Sequence, residues 1–363
     1  EGAGQPETWE FSIQGHRLSV QRWSQFDEEF FWELMPTTKV TMMYDLDKYG
    51  VSPEHGTAVR KGRSFYHPWN YDPINHPYQI QDPIDGTWYP SNKFGEGDMT
   101  SGPYPDDGSG MMYEGEKYFP VREAAIATYL GFVTPLMERM SQAYLLTGDD
   151  EYAHKCAILM VKVAHEYPNP TDRADRCQKK PWGRNSGLVT DHIWETFKLT
   201  SMAKAYDAIY EHIGQDEELV SFLQEKGVQV QTPADVQEYI EEKILRIGMK
   251  ALQEGVIRGN QGFHQLTAMT LALVIDDYTD ASPNSRDIVD WAMFEGGQMA
   301  WILSNHLFRD GGGVESPNYN SIKFDFIDAA KTFEQIRKHH PDMYPEATYP
   351  DIFANPKARA MFE

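Results

Sequence analysis

From Phe119 onward, apolar residues recur at the three- and four-residue spacing of helices with one wet face. VREAAIATYLGFVTPLMERMSQAYLLTGDD keeps this period and stops at Gly148. DEYAHKCAILMVKVAHEYP keeps it again, up to Pro168. The spacing predicts further helices over 188–213, 233–257, 263–277, 284–308 and 323–339. The 233–257 segment opens on a Thr232 cap with Pro233 at the first helical position. Loops are short and strand alternation is scarce. One segment differs from its neighbours: between Leu266 and Ile275 only two hydroxyls and no charge interrupt the apolar run, so this helix is expected to be covered on most sides. Amphipathic helices beside a nearly all-apolar one fit two concentric rings. The predicted fold is therefore all-α, an (α/α) toroid (an incomplete α/α barrel of helical hairpins) whose inner helix ends open onto a cleft. A plain bundle or a solenoid is the alternative, although no fixed-period repeat calls for a solenoid.

Residues 1–118 read as a loop-rich N-terminal region packing on a toroid of residues 119–363. The stretch 66–118 is dense in Pro, Gly, Asp and aromatics and has no helical period. A loop of that length inside a compact domain is often functional; an aromatic-stapled surface excursion is the plain alternative.

Composition narrows the classes. The 363 residues are 40% hydrophobic and 13% aromatic, enough for a sizeable core. No apolar run reaches the ~18 residues of a membrane span. A net charge of −22 excludes the basic footprint of a nucleic-acid binder. An anionic ligand must therefore be held by local Arg, Lys and Asn. A start at Glu1 without Met is what a processed export product or a trimmed chain looks like. Cys156 and Cys177, the two cysteines, make neither a disulfide framework nor a zinc site; one bridge and two free thiols both stay open. The histidines at 67, 76, 165, 192, 306, 339 and 340 are scattered, so no cofactor is expected; a structural metal ion stays open, with nothing in the spacing to support it.

Three polar constellations carry candidate chemistry. RGNQGFHQ (258–265) places Asn260, Gln261, His264 and Gln265 at the head of the apolar helix, where free N–H groups attract anions. The plain alternative is a helix-capping Asn260 and a hydrogen-bonded core His264. RDGGGVESPNYNS (309–321) sets Arg309, Glu315, Asn318, Tyr319 and Asn320 around a glycine-rich turn; the alternative is a connection with Asn320 or Ser321 as the next cap. RNSGLVTDHIWETF (184–197) holds Arg184, Asp191, His192, Trp194 and Glu195. Asp191 and Glu195 are four apart and read most simply as a solvated helix face. HExxH, P-loop and GxSxG motifs are absent, and the glycines follow no predicted strand.

Taken in order, GNQGFHQ…VIDD and RDGGGVESPNYNS resemble the heparinase II/III-like polysaccharide lyases, and WYPSNKFGEGDMTSGPYPDDGSG, AYLLTGDDEYAHKCAIL and DHIWETF extend the likeness over roughly 65–330. The resemblance implies an N-terminal (α/α) toroid and β-elimination on a uronate-containing anionic glycan, glycosaminoglycan-like or algal. The family's C-terminal β-sandwich, which often supplies a further His, does not follow residue 363. Asn260 matches the residue that neutralises the uronate carboxylate; where alginate-type relatives read Asn-His-Gly, this chain reads Asn260-Gln261-Gly262, with His264 a turn later. Tyr319 matches the catalytic Tyr after the Gly-rich turn. The implied site is thus Tyr319, His264 and Asn260 as catalytic groups, with Gln261, Gln265, Glu315, Asn318, Arg184, Trp194 and Arg309 binding substrate.

The residue types suit that reaction. The uronate C5 proton is poorly acidic, and a donor on the neighbouring carboxylate stabilises the enolate-like state. A Tyr of ordinary pKa ~10 needs cations nearby, for which Arg309, Arg258 and Arg184 are candidates. Trp69, Trp88, Trp182 and Trp194 offer stacking faces for sugars. The expected partner is an anionic polysaccharide, with neither nucleic acid nor a membrane span; nothing in the sequence bears on the oligomeric state. Two rivals remain. One is a glycoside hydrolase on the same toroid using Asp191, Glu195 or Glu315, and the other is a non-catalytic glycan-binding toroid.

Overall fold

The computed structural model describes residues 10–13, 16–19, 26–40, 50–168, 173–174, 181–182, 189–314, 316–320 and 323–361. Helix dominates, and strands occur only as short two-stranded hairpins. The chain divides into two compact units, each discontinuous in sequence. Unit 1 comprises Glu1–Asp191 and Ala208–Lys243; unit 2 comprises His192–Asp207 and Ile244–Glu363. Residues 118 and 119, the expected boundary, both lie inside unit 1.

Unit 1 is organised on helix α4. Its elements are β1 (Glu10–Ile13), β2 (His16–Ser19), α1 (Glu28–Leu34), β3 (Ile80–Gln81), β4 (Trp88–Tyr89), β5 (Met111–Tyr113), β6 (Glu116–Tyr118), α2 (Pro120–Thr128), α3 (Thr134–Thr147), α4 (Asp150–Glu166), β7 (Arg173–Ala174) and β8 (Pro181–Trp182). The end of α5 (Trp194–Ile213), α6 (Glu217–Glu225) and α7 (Pro233–Ile240) complete it. Helices α1, α3, α6 and α7 all pack on α4, whose Cys156 to Leu159 are fully buried. That explains why DEYAHKCAILMVKVAHE carries so broad an apolar face. Cys156 is a free thiol donating to the Met137 carbonyl at 3.4 Å, and Cys177 lies outside the described residues.

One continuous helix was the simplest expectation for 119–148. A π-helical segment, Tyr129–Val133, instead separates α2 from α3. Pro135 explains it: proline has no N–H to give the carbonyl four residues back, and its ring crowds that carbonyl. The ladder widens accordingly, with the Thr134 N–H reaching the Tyr129 carbonyl. Gly148, at φ 69°, then ends α3 in the left-handed conformation.

The loop-rich stretch is stapled rather than loose. Val59, Trp69, Tyr71, Ile80, Tyr89 and Met111 form a buried cluster against Ala124 and Ala127 of α2. Asn92 accepts from the Asp106 N–H at 2.8 Å and donates back to the Asp106 carbonyl at 2.9 Å. Beside that cluster, Trp69 Nε1 donates to the carboxylate of buried Glu123. The Gly50 N–H and the Arg122 guanidinium also approach it, at 3.5 and 3.8 Å. Burial pushes the Glu123 carboxyl up to about 7, against the opposing pull of Arg122 and Trp69.

Unit 2 holds the first part of α5, then α8 (Arg246–Gln253), α9 (Phe263–Ile275), α10 (Ser285–Phe294), α11 (Met299–Asn305), α12 (Pro317–Asn320), α13 (Lys323–His339) and α14 (Pro356–Ala360). Helix α9 is the apolar segment singled out above. It packs against α8, α10 and α13, and Ala268, Met269, Leu271 and Ala272 are fully buried. The predicted 284–308 helix is two, broken at Gly296–Gly297. There the backbone turns so sharply that a Cβ on Gly297 would lie 2.4 Å from the Ala292 carbonyl oxygen. Helix α5 begins at Trp194 rather than 188, because the His192 carbonyl that would serve its first turn accepts from the Arg258 N–H at 3.0 Å.

Glu123 carries a pH signature. Its folded pKa lies above its ordinary 4.5, so the stability it confers is fully present below pH 4.5 and lost as pH rises through about 7. Glu123→Gln stays neutral and can still accept from Trp69. Urea denaturation across pH is expected to show the variant close to the parent at pH 4.5 and more stable by up to about 3 kcal/mol at pH 8. A difference that does not vary with pH would remove this account.

Candidate functional site

The first constellation is built by a tight turn onto α9. Gly262 adopts φ 109°, a conformation glycine alone takes readily. It is followed at once by the first turn of α9. The Phe263 N–H bonds the Asn260 carbonyl at 3.0 Å, leaving the Asn260 and Gln261 side chains half-buried on the turn. Gly259 is crowded: a Cβ there would approach the Phe263 Cβ to 2.6 Å and the Thr196 Cγ2 to 3.1 Å.

His264 is 9% exposed and its Nδ1 lies 2.9 Å from the Gly259 carbonyl oxygen. A carbonyl only accepts, so Nδ1 carries the hydrogen, and in the neutral ring Nε2 holds the lone pair. Burial lowers the His264 pKa below the ordinary 6.5, against backbone hydrogen bonds at Gly259 and Asn260 that favour protonation. The ring is therefore a neutral imidazole at physiological pH. Trp291 meets it edge-on with centroids 6.1 Å apart.

Gln265, expected among the substrate-binding residues, has both polar groups committed to backbone. Its Oε1 accepts from the Gly262 N–H at 2.7 Å, and its Nε2 donates to the Gly297 carbonyl at 2.8 Å, with the side chain fully buried. This is half of a capping box, and a Gln three residues after the cap was the signal for it.

The third constellation meets the first within unit 2. The Arg258 N–H bonds His192 as described, Thr267 Oγ1 donates to the Thr196 carbonyl at 3.0 Å, and Phe197 and Phe263 rings lie 4.3 Å apart. Trp194 is half-buried at the start of α5. Asp191 and Glu195 are 3% and 0% exposed, so they do not form the solvated face that the sequence suggested. Arg184 and Glu315 lie outside the described residues.

The second constellation forms a compact turn. The Phe308 N–H bonds Gly312 at 2.7 Å, the Val314 N–H bonds His306 at 3.2 Å, and Leu307 bridges Gly313. Arg309 is exposed on this turn. Tyr319 sits on α12 with 54% of its surface exposed, and among the described residues nothing takes a hydrogen bond from its hydroxyl. Asn318 belongs to the same short helix. Helix α13, which follows α12, packs along α9. Tyr319 and His264 make no direct contact among the described residues.

The arrangement thus offers a buried neutral imidazole, two turn amides and an exposed phenol, with Arg258 and Arg309 as exposed cations. No helix among the described residues is long and apolar enough to cross a membrane. No family model, curated protein or solved structure matches the chain.

The committed role of Gln265 is testable. Gln265→Leu leaves the Gly262 N–H and the Gly297 carbonyl buried without a partner. It is expected to lower unfolding free energy by about 2–5 kcal/mol in chemical denaturation, the cost of two such orphans. A loss under 1 kcal/mol would return this residue to the list of ligand-facing groups.

Proposed function

We propose that this chain is a polysaccharide lyase that cleaves a uronate-containing anionic glycan by β-elimination, on an (α/α) toroid of the heparinase II/III-like kind. The observation that carries the reading is the buried, neutral His264, four residues after Asn260 at the head of α9, whose Nδ1–H is fixed on the Gly259 carbonyl. A base for C5–H abstraction needs an unprotonated nitrogen held in one orientation at the working pH, and Nε2 meets that need.

In this reading the uronate carboxylate rests on the amides of Asn260 and Gln261, with Arg258 and Arg309 supplying positive charge from the adjoining turns. Hydrogen bonds to the carboxylate strengthen as charge moves onto it, so they favour the transition state over the bound ground state. Tyr319 or His264 takes the C5 proton, depending on which face the epimer presents. The electron pair forms the C4–C5 double bond and the C4–O bond breaks. The Tyr319 hydroxyl then delivers a proton to the departing sugar oxygen. Trp194 offers a stacking face for the neighbouring ring. Asn318, Glu315 and Arg184 complete the proposed binding set. A secreted or periplasmic location goes with such a substrate.

The reading is tested by ultraviolet absorbance of the unsaturated uronate during incubation with heparin, heparan, chondroitin, hyaluronan, alginate and ulvan. Absorbance is expected to rise with one polymer. Tyr319→Phe and His264→Gln are each expected to slow it by ~10²–10⁴-fold, the Gln keeping an N–H for Gly259. New reducing ends without absorbance would replace elimination by hydrolysis.

The pH profile adds a second check. His264 must be neutral to act, and burial holds its pKa below the ordinary 6.5. The acid limb of kcat/KM is therefore expected to fall below pH 6.5 and to vanish from the residual rate of His264→Gln. An acid limb above that pH, or one unchanged in the variant, assigns the base elsewhere.

A further inference from the structure

A second polar cluster lies in unit 1, far along the chain from the residues above. His154, on the first turns of α4, and His212, on the last turn of α5, both face Asp216, the residue that caps α6. His154 Nδ1 is 2.6 Å and His212 Nε2 is 3.0 Å from the same oxygen, Asp216 Oδ2. The other carboxylate oxygen, Oδ1, is occupied by the helix cap, accepting from the Leu219 N–H at 2.8 Å. The three inward atoms lie within 4.8 Å of one another.

The outward nitrogens are also engaged. His154 Nε2 is 2.7 Å from Glu28 Oε1, at the start of α1, and His212 Nδ1 is 3.3 Å from Asp150 Oδ1, at the start of α4. Each imidazole therefore turns one nitrogen to a shared centre and the other to its own carboxylate. That is the arrangement that fixes ring orientation and raises ligand basicity at metal centres.

We propose that His154, His212 and Asp216 form a zinc-class metal site, with Glu28 and Asp150 as its orienting carboxylates. Two imidazole nitrogens and one carboxylate oxygen suit Zn²⁺ over Mg²⁺ or Ca²⁺, which prefer oxygen throughout. Tetrahedral metal–ligand bonds of ~2.0–2.2 Å place donors ~3.4 Å apart, so the His212 and His154 nitrogens, now 3.0 and 2.6 Å from Asp216 Oδ2, would draw back by ~0.4 and ~0.8 Å on binding. The fourth position faces a depression of about 880 Å³ lined by Tyr144, Glu151, Lys155, Glu211, Glu217 and Glu218, among others. Acid outnumbers base on this wall, and a negative rim concentrates a divalent cation. Lys155 is turned aside, paired with Glu151. The ion would tie α4, the end of α5 and the cap of α6 together, with α1 held through Glu28. This inference does not rest on the lyase reading.

The test uses the full chain freed of metal with EDTA, dialysed, and titrated with Zn²⁺ by calorimetry at pH 7.5, with Co²⁺ as a visible-absorption probe. One Zn²⁺ per chain is expected, together with a rise in Tm and a Co²⁺ d–d spectrum of tetrahedral intensity. His212→Gln and Asp216→Asn should abolish all three. Asn caps a helix as well as Asp does, so the metal-free Asp216→Asn chain should stay folded, with the far-ultraviolet circular dichroism of the metal-free parent at 20 °C, which separates lost metal from lost fold. Glu28→Gln should weaken Zn²⁺ binding ~10–100-fold. The proposal is overturned by the absence of saturable 1:1 binding to the folded parent. It is equally overturned by 1:1 binding that persists unchanged in His212→Gln and Asp216→Asn.

Discussion

A helix covered on most sides has little water for its polar groups, so each buried one must find a partner in the protein or be left out of the sequence. Helix α9 obeys this along its length. The one Thr267 hydroxyl proton is shared between the Phe263 and Thr196 carbonyls, 2.9 and 3.0 Å from Oγ1, with Thr200 Oγ1 at 3.0 Å, while Thr270 donates to Leu266 at 2.8 Å. Gln265 spans two backbone groups that the break at Gly296–Gly297 and the turn at Gly262 would otherwise strand. The same constraint sorts the head of the helix. Gln265 and the Nδ1 of His264 are consumed by backbone and build the scaffold; the side chains of Asn260 and Gln261 lie half-buried on the turn.

Much of the helical order was legible because periodicity reports burial directly. The 150–166 and 323–339 helices lie where their apolar spacing and caps put them. The misses have local causes. Pro135 widened one ladder into a π-segment, paired glycines cut another helix, and a long-range bond from Arg258 took the carbonyl on which α5 would have begun. The amphipathic α1 and α6 are only seven and nine residues long, too short for a period to declare itself. The 66–118 stretch gave no period because its order comes from aromatic packing and Asn–Asp bonds that no local pattern encodes.

Site residues divided along the same line. His264 and Gln265 could be read from capping chemistry and position, since both act within a few residues of themselves. Asp191 and Glu195 could not: their spacing fits a wet helix face equally well, and only packing decides that they are buried. The pair Trp69 and Glu123 and the trio His154, His212 and Asp216 were invisible for a further reason. Trp69 lies 54 positions from Glu123 and His154 lies 62 from Asp216, so the sequence holds no trace of those meetings; only the four-residue spacing of His212 and Asp216 is local.

The chain leaves unit 1 after Asp191, returns at Ala208, and leaves again after Lys243. Neither unit is a single stretch of sequence. On the ribosome, unit 1 therefore stays incomplete until α6 and α7 have emerged, although its first 191 residues are already made. Unit 2, by contrast, has its first sixteen residues synthesised well before the rest of its core. No single cut liberates either unit whole. Protein engineers seeking a minimal fragment have to excise and rejoin, or keep the chain intact.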